Sequence, residues 1–280
     1  MSKELTKELV IQNKKDAIKS VNKLLEKYIN DPSEKHLKKA HLISYWLKDY
    51  SQMIDFEEKF QPTKNIAYKR GNIIKLNFGF NIGSEYGGLH YGIVLDNHNA
   101  HNSPIVTIIP LTSVKNNKKI HENSVELGNE IYRSLKLKYD TINKNLKDES
   151  DELMKQKIIF TSFLTLTTEL IGELDPYDSK QFDEKCADAK KMLEQARQIK
   201  ADLDVKIEHN KLQQESLNKI GAEISQMKQG SIALINQITT ISKIRICDPR
   251  NIRGVLSGIS LSPESMDKIN AKVKELYVFE

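Results

Sequence analysis

The sequence predicts an α+β protein in which a small antiparallel sheet or barrel is interrupted by a long helical insertion and preceded by a helical region. Apolar residues recur at three-, four- and seven-residue spacings in the first 68 residues and again from about 129 to 229, as in amphipathic helices. Between them, and again from residue 230, short Ile/Val-rich runs are separated by Gly, Asn, Ser and Pro, which is typical of strands. We therefore divide the chain into residues 1–68, 69–128, 129–229 and 230–280.

Two helices are predicted in the N-terminal region. The apolar pattern that starts at Leu5 is interrupted at Asp31-Pro32. Asp31 as the N-cap and Pro32 at the first helical position predict a second helix that continues to about Asp55. Tyr45 and Trp46 lie in an aromatic stripe on that helix, and we expect this stripe to pack in a core.

Short strands are predicted on both sides of the insertion. Four of them cover Ile73 to Phe78, His90 to Leu95, Ile105 to Leu111 and Asn123 to Leu127. Residues 231–246 are expected to supply one or two more. Ser262-Pro263 then has the cap and first-position residues of a final helix.

The insertion reads as two long helices joined at Asp175-Pro176-Tyr177-Asp178. Continuous helices of roughly 45 to 50 residues would each extend about 70 Å, at about 1.5 Å per residue. The apolar spacings then predict an antiparallel coiled-coil arm. An arm of this length usually contacts a binding partner.

The composition limits the class of protein but does not identify its partner. A formal net charge of +5 with 29% charged residues allows a nucleic-acid ligand but does not require one. The two cysteines, Cys186 and Cys247, are too far apart in sequence to suggest a disulfide framework or a zinc site, so we expect a reducing, cytoplasmic setting. The first residues contain no apolar leader, and the densest apolar run, 158–174, is broken by Thr residues and by Glu169. No membrane association and no metal site are expected.

A Gly-rich polar loop that runs into a strand is the most informative motif. Residues 83–88 read Gly-Ser-Glu-Tyr-Gly-Gly, and the strand at 105–113 ends in Thr112-Ser113. This succession of strand, loop, strand, polar turn and strand resembles the opening of the MazF/PemK family of toxin endoribonucleases. Residues 230–277, with a Gln-Ile-x-Thr-Ile stretch at 237–241, resemble the second half of that family's domain.

The resemblance implies a small SH3-like antiparallel β-barrel of the MazF/PemK/CcdB type with a C-terminal helix, usually a homodimer. The helical arm would then lie between two halves of the barrel. Such an insertion is tolerated because loop-closure cost rises slowly with length and an antiparallel hairpin returns the chain to its starting point.

The resemblance also implies an activity. Family members cut single-stranded RNA without a metal or other cofactor: the 2′-hydroxyl attacks the adjacent phosphate and leaves a cyclic phosphate and a 5′-hydroxyl. In the family an Arg after the Gly-Gly pair and a Thr or Ser at the end of the third strand carry much of this chemistry. Thr112 matches the latter position, whereas His90 stands where the Arg is expected. A cognate antitoxin is the implied protein partner.

The exchange of Arg for His has two interpretations. Histidine titrates near neutral pH and can serve as a general acid or base, whereas Arg acts mainly as a fixed positive charge. The alternative is loss of activity. Glu85 could orient His90, act as a base, or be a solvent-facing loop carboxylate, and Ser84 could donate to a phosphate oxygen or only shape the turn.

A second departure from the family is Thr239, where many members carry a positive residue. The missing charge could come from side chains elsewhere, and an aromatic ring could stack on an RNA base. The candidate RNA-binding residues are Tyr86, Lys115, Lys118, Lys119, Lys243 and Arg245.

Other functions remain open at this level. The domain could bind nucleic acid or protein without catalysis, or it could bind a protein target as the related topoisomerase-poison toxins do. For the arm we expect regulation, either by occluding the RNA groove or by docking an antitoxin. Deletion of residues 130–228 would test that expectation.

Overall fold

The computed structural model describes residues 5–115, 119–172 and 179–278, in which five α-helices and seven strands lie. The helices are α1 Lys7–Ile29, α2 Glu34–Glu57, α3 Glu130–Gly172, α4 Ser179–Gln226 and α5 Pro263–Tyr277. The strands are β1 Ile73–Asn77, β2 Leu89–Val94, β3 Ile105–Ser113, β4 Ser124–Gly128, β5 Ser231–Leu234, β6 Thr239–Ser242 and β7 Ile246–Asp248. Single 3₁₀ turns at Ile235–Gln237 and Lys243–Arg245 separate β5, β6 and β7, so the segment expected to hold one or two strands holds three.

The strands form one antiparallel sheet in the order β4-β5-β3-β2-β1-β7, with β6 also paired to β3. Strand β3 is nine residues long and pairs with β6 at its start, β2 in its middle and β5 at its end. The expected barrel is not closed, because β4 and β7 end the sheet and do not pair with each other within the described ranges. One physical reason is length: β7 has only three residues and offers few groups for a further ladder.

The helical insertion lies between two neighbouring strands, β4 and β5. Gly128, the last residue of β4, pairs with Ser231, the first residue of β5, so the two ends of the insertion are adjacent. Helices α3 and α4 run antiparallel, since Tyr139 lies against Gly221 and the Lys206 ammonium donates to the Gln156 side chain. The geometry of a coiled coil remains a prediction, and the turn expected at Asp175-Pro176-Tyr177-Asp178 lies outside the described residues.

Period-two alternation along the strands builds a core on each face of the sheet. On one face Ile73, Ile93 and Ile109 are fully buried together with the base of the arm and α5. On the other face Ile74, Leu76, Phe78, Val94, Val106 and Ile108 form a second cluster with β6 and β7. The arm residues in the first cluster are Ile131, Leu135 and Ile220. The base of the insertion is therefore part of the same core as the sheet.

The N-terminal helices contribute little to either core. No residue of α1 is buried, and α2 buries only Ala40, so the expected core packing of the aromatic stripe is wrong for Tyr45, which is 61% exposed. Trp46 is the exception, because its ring lies against Gly79 after β1. A stripe at helical spacing shows that one face is apolar but not how much of it another element covers.

The start of α2 also differs from the expectation. Ser33, not Asp31, is the N-cap residue, and its side chain makes no capping hydrogen bond. The Asp31 carboxylate instead accepts from the Ser33 amide at 2.8 Å and lies 3.1 Å from His36. Asp31 thus closes the turn before the helix. None of the described helices has a stretch long and apolar enough to cross a membrane.

Candidate active site

The Gly-rich loop between β1 and β2 is fixed by backbone contacts. The Gly88 amide donates to the Gly79 carbonyl at 2.7 Å, and the Phe78 amide donates to the Gly88 carbonyl at 2.8 Å. Gly79 has a φ of +90°, and a Cβ there would lie 2.7 Å from the Trp46 ring. Only glycine fits this position without strain. Helix α2 therefore supports the loop through Trp46.

Gln237, in the Gln-Ile-x-Thr-Ile stretch, holds the same loop from the second half of the sheet. Its side-chain oxygen accepts from the Tyr86 amide at 3.2 Å, and its side-chain nitrogen donates to the Ser84 carbonyl at 3.4 Å. The two sequence motifs that carried the resemblance are thus in direct contact, although about 150 residues separate them.

His90 and Thr112 lie on the same face of the sheet. Gly92 of β2 pairs with Pro110 of β3, and side chains two residues apart along a strand share a face. His90 shares the face of Gly92, and Thr112 shares the face of Pro110. Both residues line a cavity of about 230 Å³, together with the end of α4 and the segment that follows it. The sheet register therefore brings the two principal candidates to one cavity.

Tyr86 connects them. Its ring centroid lies 4.7 Å from that of His90 and 5.2 Å from that of Phe78, and its hydroxyl donates to the Leu111 carbonyl. Burial raises the pKa of Tyr86 to about 12, although the nearby Thr112 side chain acts in the opposite direction. Tyr86 is therefore a neutral phenol that positions both neighbours. It also lines a second cavity, so base stacking by this ring remains a prediction.

The His90 imidazole is half-buried against Tyr86. Partial burial lowers the pKa of His90 below its ordinary value of 6.5, because the charged form loses hydration. The ring is therefore mainly neutral at pH 7. A neutral imidazole can accept a proton but supplies no positive charge for a phosphate.

Ser84 and Glu85 are exposed in the loop. The Glu85 carboxylate accepts from the Ile82 amide at 3.2 Å, which closes the loop on itself. It lines the second cavity, of about 450 Å³, together with Tyr86. No hydrogen bond joins Glu85 to His90 in the part of the chain that the structure describes, so the structure offers no contact through which Glu85 would orient the imidazole.

The predicted RNA-binding cations occupy different environments. Lys243 is only 1% exposed, donates to the Ala100 carbonyl at 3.1 Å and lies over the Tyr68 ring, so its assignment as a surface contact for RNA is wrong. Arg245 lies over the Trp46 ring, donates to the Phe78 carbonyl and lines the larger cavity. Lys115 and Lys119 are exposed after β3, whereas Lys118 lies outside the described residues.

One positive side chain at the site was missed. Lys228 lines the smaller cavity with His90 and Thr112, and it lies just beyond the end of α4. No sequence pattern indicates it, because residue 228 is far from the glycine-rich loop along the chain and belongs to the helical insertion. Within the described ranges, no group of three or more His, Cys, Asp or Glu side chains is arranged to hold a metal ion.

A glycine-rich loop, a half-buried histidine and a strand-end threonine thus meet at one cavity of this antiparallel sheet. Residues 69–147 match the family of PemK-like, MazF-like toxins of type II toxin-antitoxin systems. The resemblance seen in the sequence to the MazF/PemK family is therefore confirmed for this part of the chain. Comparison with curated proteins finds no match.

The matched region covers β1 to β4 and the first part of α3. It stops before β5, β6 and β7, which the sequence resemblance assigned to the second half of the barrel. The sheet nevertheless joins the two segments, because β5 and β6 pair with β3 and β7 pairs with β1. The pairing thus connects a recognised toxin segment to strands that the family match does not include.

Proposed function

We propose that this protein is a toxin-type endoribonuclease that cleaves single-stranded RNA without a metal, through attack of a 2′-hydroxyl on the adjacent phosphate. The observation that carries the proposal is the shared cavity of His90 and Thr112 within the region similar to PemK-like, MazF-like toxins. A cognate antitoxin and a homodimer are further proposals from that similarity.

In the proposed reaction neutral His90 takes the proton of the 2′-hydroxyl. The 2′-oxygen then bonds to phosphorus, the bond from phosphorus to the 5′-oxygen breaks, and the leaving oxygen takes a proton from water. The products are a 2′,3′-cyclic phosphate and a 5′-hydroxyl. The lowered pKa of His90 favours this role, since the imidazole is ready to accept a proton at neutral pH.

Thr112 has a different part in this reaction. Its hydroxyl can donate to a non-bridging phosphate oxygen as negative charge increases in the transition state. Tyr86 positions the pair, since its ring contacts His90 and its hydroxyl donates to the carbonyl of Leu111, the residue before Thr112. Ser84 and Glu85 lie in the loop that borders the larger cavity, where they would contact flanking nucleotides.

The test is cleavage of RNA by the purified protein in EDTA, with mapping of the ends produced. His90→Ala should abolish cleavage, whereas His98→Ala, at an exposed position in the loop between β2 and β3, should not change it. Cleavage that stops on chelation, or that survives loss of the His90 imidazole, would refute the mechanism.

A second candidate is a domain that binds nucleic acid or protein without cutting it. The replacement of the family Arg by His90 favours this alternative. RNA that the protein binds but leaves intact would support this second candidate. Capture of a topoisomerase, with RNA left intact, would indicate a toxin of the topoisomerase-poison type.

A further inference from the structure

Helix α4 carries the helical insertion back to the sheet beside the candidate active site. The segment after the helix, Met227 to Gly230, lies between α4 and β5. Gln226, Met227 and Lys228 line the cavity that His90 and Thr112 share. We infer that the insertion completes the active site and that Lys228 binds the scissile phosphate there.

The segment around Lys228 is held at both ends. The Met227 amide donates to the Glu223 carbonyl at 3.0 Å. On the other side, the Gly230 amide donates to the Asn129 side chain at 2.7 Å and the Gly230 carbonyl accepts from the Val114 amide at 3.1 Å. A Cβ at Gly230 would lie 2.6 Å from Val114, so the backbone approaches β3 closely here. These contacts fix the Lys228 backbone next to the end of β3.

The end of α4 is also fixed to the face of the sheet. Glu223 forms an ion pair with Lys75 of β1 at 2.6 Å and accepts a hydrogen bond from the Tyr91 hydroxyl of β2. Tyr91 follows His90 directly in the sequence, so the two side chains lie on opposite faces of the strand, and α4 packs on the face of Tyr91. The strand that carries the proposed base and the helix that leads to Lys228 are therefore joined by one half-buried cluster.

The charge of the cavity supports a phosphate ligand. Among the described residues that line it, Lys228 is the only one with a formal charge at neutral pH when His90 is neutral, and none is acidic. Lys228 is exposed and forms no ion pair within the described ranges, so its ammonium is available to a ligand. The Glu223 carboxylate nearby is neutralised by Lys75.

This inference rests on the proposed nuclease function but makes a separate claim about the insertion. It predicts that deletion of residues 130–228 removes a wall of the cavity together with its cation. Such a deletion would abolish cleavage even if the arm had no regulatory role, so it cannot serve as a clean test of regulation.

The experiment compares Lys228→Ala, Lys228→Arg and the control Lys211→Ala in the full-length protein. Lys211 is exposed on α4, about 22 Å along the helix from its end at about 1.5 Å per residue. We expect Lys228→Ala to reduce kcat/KM for RNA by about 10²-fold, Lys228→Arg to restore most of it, and Lys211→Ala to change it less than about twofold. The rate should also depend less on salt in Lys228→Ala, because one phosphate contact is lost.

Binding of an oligonucleotide with 2′-deoxy sugars, which cannot be cut, separates this inference from the nuclease proposal. If the wild-type protein does not cleave RNA, the nuclease proposal fails, but weaker binding by Lys228→Ala than by Lys211→Ala still supports the phosphate contact. If the two variants cleave and bind alike, the inference is wrong whatever the wild-type activity.

Discussion

Replacement of Thr112 by valine tests whether a hydroxyl at the end of β3 stabilises the transition state. Valine keeps the shape of the side chain and removes only the hydroxyl of a residue that lines the cavity shared with His90. Loss of one donor to a developing negative charge lowers kcat by about 10²- to 10³-fold in well-studied enzymes. We expect a loss of that size here.

The effect on stability should be much smaller. Thr112 is half-buried, and even a hydroxyl that makes a hydrogen bond contributes only about 1 kcal/mol to the free energy of unfolding. A domain with at least about 5 kcal/mol of stability stays more than about 99% folded after that loss. Unfolding therefore cannot account for a decrease of two orders of magnitude in rate.

The assay is single-turnover cleavage of a defined RNA by wild-type protein and three variants. Thr112→Ser keeps the hydroxyl and should retain most of the activity. Thr107→Val is the matched control on the same strand, because it removes a hydroxyl that bonds to Thr240 at 3.1 Å, away from His90. If Thr112→Val cleaves within about threefold of wild type, or if Thr107→Val loses as much activity, Thr112 has no direct role in the reaction.

Three further predictions concern pH and stability. Because burial lowers the pKa of His90, the midpoint of the decrease of kcat/KM in acid should lie below pH 6.5, and a midpoint above 6.5 would contradict the role of the neutral imidazole. The free energy of unfolding should also decrease in acid, since the unfolded chain binds the proton more readily. Gly79→Ala should lower the free energy of unfolding by about 2–4 kcal/mol, because residue 79 has a positive φ and a Cβ there would contact Trp46. The control Gly258→Ala has a positive φ but open space around the Cβ, so its free energy of unfolding, measured by urea denaturation, should decrease by only about 1–2 kcal/mol. Lys138→Met should lower the free energy of unfolding by about 3 kcal/mol, because the Lys138 ammonium donates to three backbone carbonyls at 2.8 to 3.1 Å. Equal melting temperatures for this variant and the exposed control Lys136→Met would contradict that reasoning.

Several elements of the fold could be predicted from the sequence because their signals are local. The change from strand to helix expected at about residue 129 coincides with the start of α3 at Glu130. Ser262 caps α5 as predicted, and its side chain accepts from the Ser265 amide. Alternation and capping depend on residues a few positions apart, so one chain is sufficient to recognise them.

The candidate site could be predicted only in part. The sequence indicated His90 and Thr112 through the loop and the strand end, and their proximity depends on the register of β2 and β3. The same reading assigned Lys243 to the RNA surface, although the chain buries it beside Tyr68. The position of a lysine in the sequence does not show whether its ammonium group faces solvent or backbone carbonyls.

The sequence by itself determined the helical and strand segments, the glycine-rich loop and the similarity to MazF/PemK toxins. Only the tertiary structure decided that β3 pairs with three strands, that Gln237 holds the loop, and that Lys228 returns to the cavity from the helical insertion. The physical reason is that these contacts, apart from the pairing of β3 with β2, join residues more than 100 positions apart. They depend on strand register and on where a long helix ends, which no local pattern specifies.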